Sequence, residues 1–124
     1  MATITLARQL LREDLEIRHS DDALAVVLVY DGEGRCGAYD ADDLDDRPLL
    51  RLHVEQLRDS RWEEVDGASV CTSLTVDDDP DVLHAAARYM HEQIRQCLRE
   101  GRSVRRVAGM LSWMTARDAE AVAR

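Results

Sequence analysis

Five aspartates, Asp40, Asp42, Asp43, Asp45 and Asp46, fall within the ten residues YDADDLDDRP of a 124-residue chain. Carboxylates at this density can hold a hard cation, draw a basic partner or keep a connection solvated. A calcium loop of the EF-hand type needs oxygen ligands at its first, third and fifth positions, glycine at the sixth and glutamate at the twelfth. Counted from Asp40, the third position is Asp42, but the fifth is Leu44, the sixth Asp45 and the twelfth Arg51. The spacing fails for such a loop, which leaves only loose cation binding, and no metal site or cofactor is expected. The segment reads as a solvated loop or as an acidic lure for a basic surface.

A second constellation lies further along. His84, Arg88, His91, Arg95 and Arg99 follow one another at steps of four, three, four and four residues, which places them on one side of a helix. Arginines so arranged can grip phosphates or carboxylates in bidentate fashion, unless the protein's own acidic residues take them first. His84 and His91 stand two turns apart, ~10.5 Å along the axis, too far to share one zinc. Neither HExxH nor CxxC is present.

Covalent chemistry has little to work with. The chain has no GxSxG, no Walker A loop and no glycine-rich dinucleotide fingerprint. Cys71, in SVCTS, could meet His53 or His84, but a strand cysteine reads first as a small core residue. Glu63, Glu64 and Asp66 read as solvated hairpin carboxylates. A small enzyme with a Cys/His/carboxylate site is therefore the third reading.

The elements that would position these residues follow from periodicity. TLARQLLREDLE (Thr5 to Glu16) predicts a first helix, with Leu6, Leu10 and Ile17 as its stripe. DDALAVVLVY predicts a buried strand, DGEG a turn and RCGAY its return. In LLRLHVEQL, Leu50, Leu52 and Val54 alternate with Arg51, His53 and Glu55, the period of a half-buried strand. Asp66-Gly67 between RWEEV and ASVCTSLTV predicts a hairpin.

After Val76 the chain changes character. The acidic run VDDDPD supplies Asp79 as an N-cap and Pro80 as a first helical residue. A long helix to about Arg99 follows, with Leu83, Ala87, Met90, Ile94 and Cys97 on one face and Gly101 as its stop. Ser103 starts a short helix with Val104, Val107, Ala108 and Leu111 inward. Thr115 and Asp118 start a last one as a capping box. The predicted fold is one α+β domain over residues 1–124: an N-terminal helix, an antiparallel sheet of four to five strands, then a long helix and two short ones.

Charge divides this domain. Residues 1–87 carry 21 acidic and 8 basic side chains, and residues 88–124 carry 4 acidic residues and 8 arginines. The strand-rich part (1–79) is acidic and the helical part (80–124) basic. A uniformly nucleic-acid-binding domain would be basic overall, whereas this chain has a net charge of −9. The longest apolar run, ALAVVLVY, has eight residues, far short of the ~20 of a spanning helix. Together with three scattered cysteines this points to the cytoplasm and away from a membrane. The lack of lysine, phenylalanine and asparagine fits a GC-rich bacterial or phage genome.

The C-terminal GRSVRRVAGMLSWMTARDAEAVAR carries two resemblances. Gly101, Ser103, Arg105, Val107, Ala108 and Leu111 resemble the first helix of a DNA-binding helix-turn-helix, although Ser112 replaces the usual glycine and Thr115 is displaced. Ser103, Arg105, Arg106, Val107, Ala108 and Thr115 are similar to the C-terminal helices of small phage-encoded anti-CRISPR proteins. That second resemblance implies a non-catalytic inhibitor that binds a nuclease complex with acidic groups placed where nucleic acid would lie.

The expected function is a non-enzymatic protein-interaction module, an inhibitor or accessory factor from a bacterial mobile element or phage. Its partner presents a basic surface. Candidate partner-binding residues are Asp40, Asp42, Asp43, Asp45, Asp46, His84, Arg88, His91, Arg95, Arg105 and Arg106. The alternative is a small nucleic-acid-binding regulator that uses the C-terminal segment. Trp62, Trp113 and Met114 mark an apolar partner or homodimer surface, or else core.

Overall fold

The computed structural model describes residues 15–30 and 49–123. Within them lie five antiparallel strands, β1 (Leu15–Ser20), β2 (Leu24–Tyr30), β3 (Leu49–Arg58), β4 (Arg61–Glu64) and β5 (Val70–Thr75), followed by helices α1 (Pro80–Arg99), α2 (Val104–Leu111) and α3 (Ala116–Val122). The architecture is α+β, and among the described residues all three helices follow the strands.

The sheet runs β1–β2–β3, and the far edge of β3 is shared end to end by two partners. Its first half pairs with β5 (Leu52 opposite Val70, Leu49 opposite Thr75, with a bulge between) and its second half with β4 (Glu55 opposite Glu64, Arg58 opposite Arg61). β2 is central. Its residues Leu24 to Leu28 are buried on both faces, as an unbroken apolar run requires.

Two expectations are corrected. Leu15, Glu16 and Ile17 belong to a strand, not to the end of a helix; the remainder of that predicted helix, Thr5 to Asp14, lies outside the described residues. In LEIRHS the working period is two: Ile17 faces Leu28 and His19 faces Val26 across the ladder. The turn Asp21–Ala23 fixes this register, because Asp21 Oδ1 accepts the backbone N–H groups of Ala23 and Leu24, both at 2.8 Å. The second correction concerns the hairpin at Asp66-Gly67. RWEE and VCTSLT do not pair with each other; both pair with β3. The tight hairpin is β3–β4, through Asp59 and Ser60, whose φ values of 51° and 66° suit a two-residue type I′ turn. Gly67 (φ +74°) turns the chain from one partner strand to the next. The predicted turn at Asp31–Gly34 and the return strand RCGAY lie outside the described residues.

α1 forms where its local signals place it. The Asp79 side chain accepts from Asp81 N–H, and Pro80 occupies the first turn. Gly101 (φ +70°) ends the helix: Arg102 N–H reaches Cys97 C=O at 2.9 Å and Gly101 N–H reaches Leu98 C=O at 3.3 Å, a Schellman pair. Leu83, Ala86, Ala87, Met90, Ile94 and Cys97 are buried. They cover the sheet face formed by Val26, Leu28, Leu50, Leu52, Val54 and Leu74. Thr72, buried in that layer, donates to Leu50 C=O at 2.7 Å, so its hydroxyl is not left unpaired.

The last two helices close the end of this layer. Ser103 caps α2 through Arg106 N–H, and Thr115 and Asp118 form a reciprocal capping box on α3. Ala108 and Ala119 are buried, and Val104, Val107 and Leu111 pack against the core. α2 runs beside β5 in the same sense. At one end the Arg105 guanidinium lies on Gly67, and at the other Ser73 Oγ donates to Ser112 C=O at 3.4 Å. No helix of the described residues is long and apolar enough to cross a membrane.

Candidate interaction surface

The arginine–histidine stripe of α1 does not present one uniform face. His84, Arg88, Arg95 and Arg99 are exposed, whereas His91 is buried. His91 Nε2 lies 3.2 Å from both Leu24 C=O and Asp21 Oδ2. Two acceptors at one nitrogen require Nε2 to carry a proton. Arg95 Nη1 approaches the same Asp21 oxygen at 3.8 Å. The backbone N–H of Ala23 leads in holding the Asp21 carboxyl below its ordinary value. Partial burial works against it, and the Leu24 N–H, His91 and Arg95 add to it. The protein's own β1–β2 turn thus takes two members of the stripe. Its C-terminal end borders an open groove lined by Glu92, Arg95, Gln96 and Arg99, where Glu92 sets a carboxylate among the arginines.

The C-terminal cations are likewise partly engaged. Arg102 Nε pairs with Glu100 at 2.9 Å and Arg105 covers Gly67. Arg106 is exposed on α2. The segment that resembles a helix-turn-helix folds as two short helices; Ala119 of α3 is buried and α3 packs on α1.

Beyond Arg106, the end of α2 and the turn after it carry a pair of large apolar groups. Met110 is 69% exposed and Trp113 79%. Trp113 N–H donates to Met110 C=O at 3.3 Å, in the turn that ends α2. Met114, grouped with Trp113 as a surface candidate, is instead 8% exposed and belongs to the core. The Ser73–Ser112 contact brings the end of α2 to β5; Asp77, Asp78, Asp79 and Asp81 follow β5 in the chain. Asp78 and Asp79 have local roles, accepting Thr75 N–H at 2.8 Å and Asp81 N–H at 2.9 Å. Asp40, Asp42, Asp43, Asp45 and Asp46 lie outside the described residues.

The opposite sheet face carries a cluster that sequence reasoning missed. Arg18 Nη2 donates to Glu55 Oε1 at 2.7 Å, and His53 Nε2 lies 2.9 Å from Glu55 Oε2. The Arg18 guanidinium also stands 4.9 Å from the centre of the Trp62 ring, within cation–π range. Burial alone would raise the Glu55 carboxyl, but the bonds from Arg18 and His53 bring it below its ordinary value. The signal was present in the alternation of β1 and β3. It required the register, which sets Arg18 opposite Val27 and Val27 opposite His53.

Cys71 is disulfide-bonded and only half-buried, which corrects the reading of it as an unpaired core cysteine, and it is not a thiol nucleophile in this state; Cys97 is a free, buried thiol whose Sγ reaches Arg102 C=O at 3.1 Å. Among the described residues no three His, Cys, Asp or Glu side chains converge to hold a metal ion. No protein-family model, curated protein or solved structure matches this chain.

Proposed function

We propose that this chain is a non-enzymatic protein-interaction module that anchors on its partner through Trp113 and Met110. The observation that carries this reading is the exposure of both side chains, at 79% and 69%, Met110 on the last turn of α2 and Trp113 in the turn that follows it. Burying two such groups contributes about 1.5–3 kcal/mol each, and tryptophan is enriched among residues that dominate interface energetics. The surrounding charge defines the partner. The end of α2 touches β5 through Ser73, the acidic turn follows β5 in the chain and the front half of the chain is acidic throughout, so the complementary surface we infer is an apolar pocket rimmed by arginine or lysine. Such charge speeds encounter and makes association salt-sensitive. An inhibitor or accessory factor of a bacterial mobile element, masking a nucleic-acid-binding surface as anti-CRISPR proteins do, fits these requirements.

The nucleic-acid alternative is less well supported. His91 and Arg95 are taken by Asp21, Arg102 by Glu100, and Glu92 stands within the arginine groove. The test is recovery of partners from lysate of the source cell by wild-type protein, a Trp113→Ala/Met110→Ala variant and an Asp42/Asp43/Asp45/Asp46→Asn variant. Each is first checked for native circular dichroism. A partner held by the wild type and lost by the first variant supports the anchor, and weakening by the second supports the acidic contribution. Equal recovery by all three contradicts the reading. A duplex DNA shift at low salt that survives the Trp113→Ala/Met110→Ala change but not Arg105→Ala/Arg106→Ala would favour the regulator instead.

A further inference from the structure

The β1–β2 turn is attached to α1 through two imidazoles in contact. His91, 3% exposed, donates from Nε2 toward Leu24 C=O and Asp21 Oδ2. His19, from the end of β1, meets it edge to face, with ring centres 4.9 Å apart and planes at 77°. Asp21 serves both sides of the joint, since Oδ1 closes the hairpin turn while Oδ2 faces the helix. Charged groups facing the pair, among the described residues, are Asp21 from the turn and Arg88, Glu92 and Arg95 from α1. β2 contributes apolar Leu24 and Val26, β3 the neutral Gln56 opposite Leu24, and α3 brings Val122 and Ala123 against Arg88 and Glu92.

The geometry points to a proton-sensitive latch, in which the His19–His91 contact holds the β1–β2 turn on α1 near neutral pH and releases it on acidification. The fixed charges around the pair balance, with Asp21 and Glu92 against Arg88 and Arg95. Asp21 and Glu92 only partly oppose the lowering of His19. Protonation of His19 would place a cation against the His91 ring, in a partly buried position that Arg88 also faces, and both burial and the neighbouring cation disfavour that form. Consistently, His19 is held below the ordinary histidine value, first by burial and then by His91 and Arg88. A histidine lowered in the folded state binds its proton more readily once the contact opens. The latch is therefore fully held above the ordinary histidine value of about 6.5 and weakens as pH falls from there toward the lowered value. This inference is independent of the anchor at Trp113.

Amide exchange by NMR on the full chain, corrected for the intrinsic pH dependence of exchange, tests it. The informative amides are Leu24, bonded to Asp21 Oδ1, and Leu57, bonded to Ala23 C=O. On moving from pH 7.5 to 5.5, their protection should fall while that of Val54 and Leu74 in the central layer holds. His19→Phe keeps a ring against His91 and removes the proton, so the fall should be lost; His19→Gln serves if the Phe variant does not fold. Asp21→Asn, which removes the offsetting charge, should move the release to higher pH. An unchanged response in the His19 variant, a uniform loss of protection over the whole sheet, or no loss at Leu24 and Leu57 would each overturn the latch.

Discussion

Asp21 divides its two carboxylate oxygens between the β1–β2 turn and helix α1, and this division makes separable predictions at the scale of the residue. Asp21→Asn keeps an oxygen for the Ala23 and Leu24 N–H groups but loses the charge that faces His91 and Arg95. Asp21→Ala loses both contributions. Urea denaturation at neutral pH should rank wild type above Asn above Ala, with Ala lower than wild type by about 1–3 kcal/mol. Equal losses would mean that the turn bonds contribute nothing separately. Glu55 behaves comparably on the other sheet face. Its carboxyl is lowered in the folded state, so its contribution is complete above the ordinary glutamate value of about 4.3 and is lost as pH falls through the lowered one. The urea midpoint should drop on acidification in that range, and Glu55→Gln should flatten the drop. An identical profile for both proteins would remove Glu55 from the account.

At the scale of elements, two glycines make predictions of opposite sign. Gly101 adopts φ +70° at the end of α1, with open space where a Cβ would stand. Gly101→Ala should therefore cost about 1 kcal/mol through backbone strain alone. Gly109 lies inside α2, also with open space at its Cβ, and Gly109→Ala should stabilise by roughly 0.5–1 kcal/mol. Thermal or urea unfolding checks both, and equal signs would contradict the conformations assigned. The helices were legible because their signals are local: Asp79–Pro80, Ser103, Thr115 with Asp118, and Gly101 each act within one turn. Strand partners were less legible. Ile17 fits a helical stripe and a two-residue alternation equally well, and only pairing with β2 decides. Asp66-Gly67 carries the usual hairpin dipeptide, yet Asp59-Ser60 makes the tight turn, because β3 is long enough to take two partners along one edge. The same dependence on register hid the Arg18–Glu55–His53 cluster. Trp113 was visible as a surface candidate, but its separation from buried Met114 depends on how α2 ends.

At the scale of the molecule, charge asymmetry resolves into a protein that neutralises part of its own basic helix and leaves Met110 and Trp113 exposed, the pair proposed as its anchor. The core carries the stability, and the exposed pair is not needed for it. Met90, fully buried between α1 and the sheet, should cost ~2–5 kcal/mol when replaced by alanine, whereas Trp113→Ala should leave the urea midpoint nearly unchanged. Loss of stability on replacing Trp113 would assign it to folding instead of binding.

The most direct test uses the fact that the chain has two tryptophans. In a Trp62→Phe protein, emission comes from Trp113 alone. On titration with the partner recovered by the wild-type chain, it should shift to the blue and become shielded from iodide, and binding should weaken at least tenfold, about 1.4 kcal/mol, in Trp113→Ala. Binding that leaves the Trp113 emission water-like and quenchable would contradict the account.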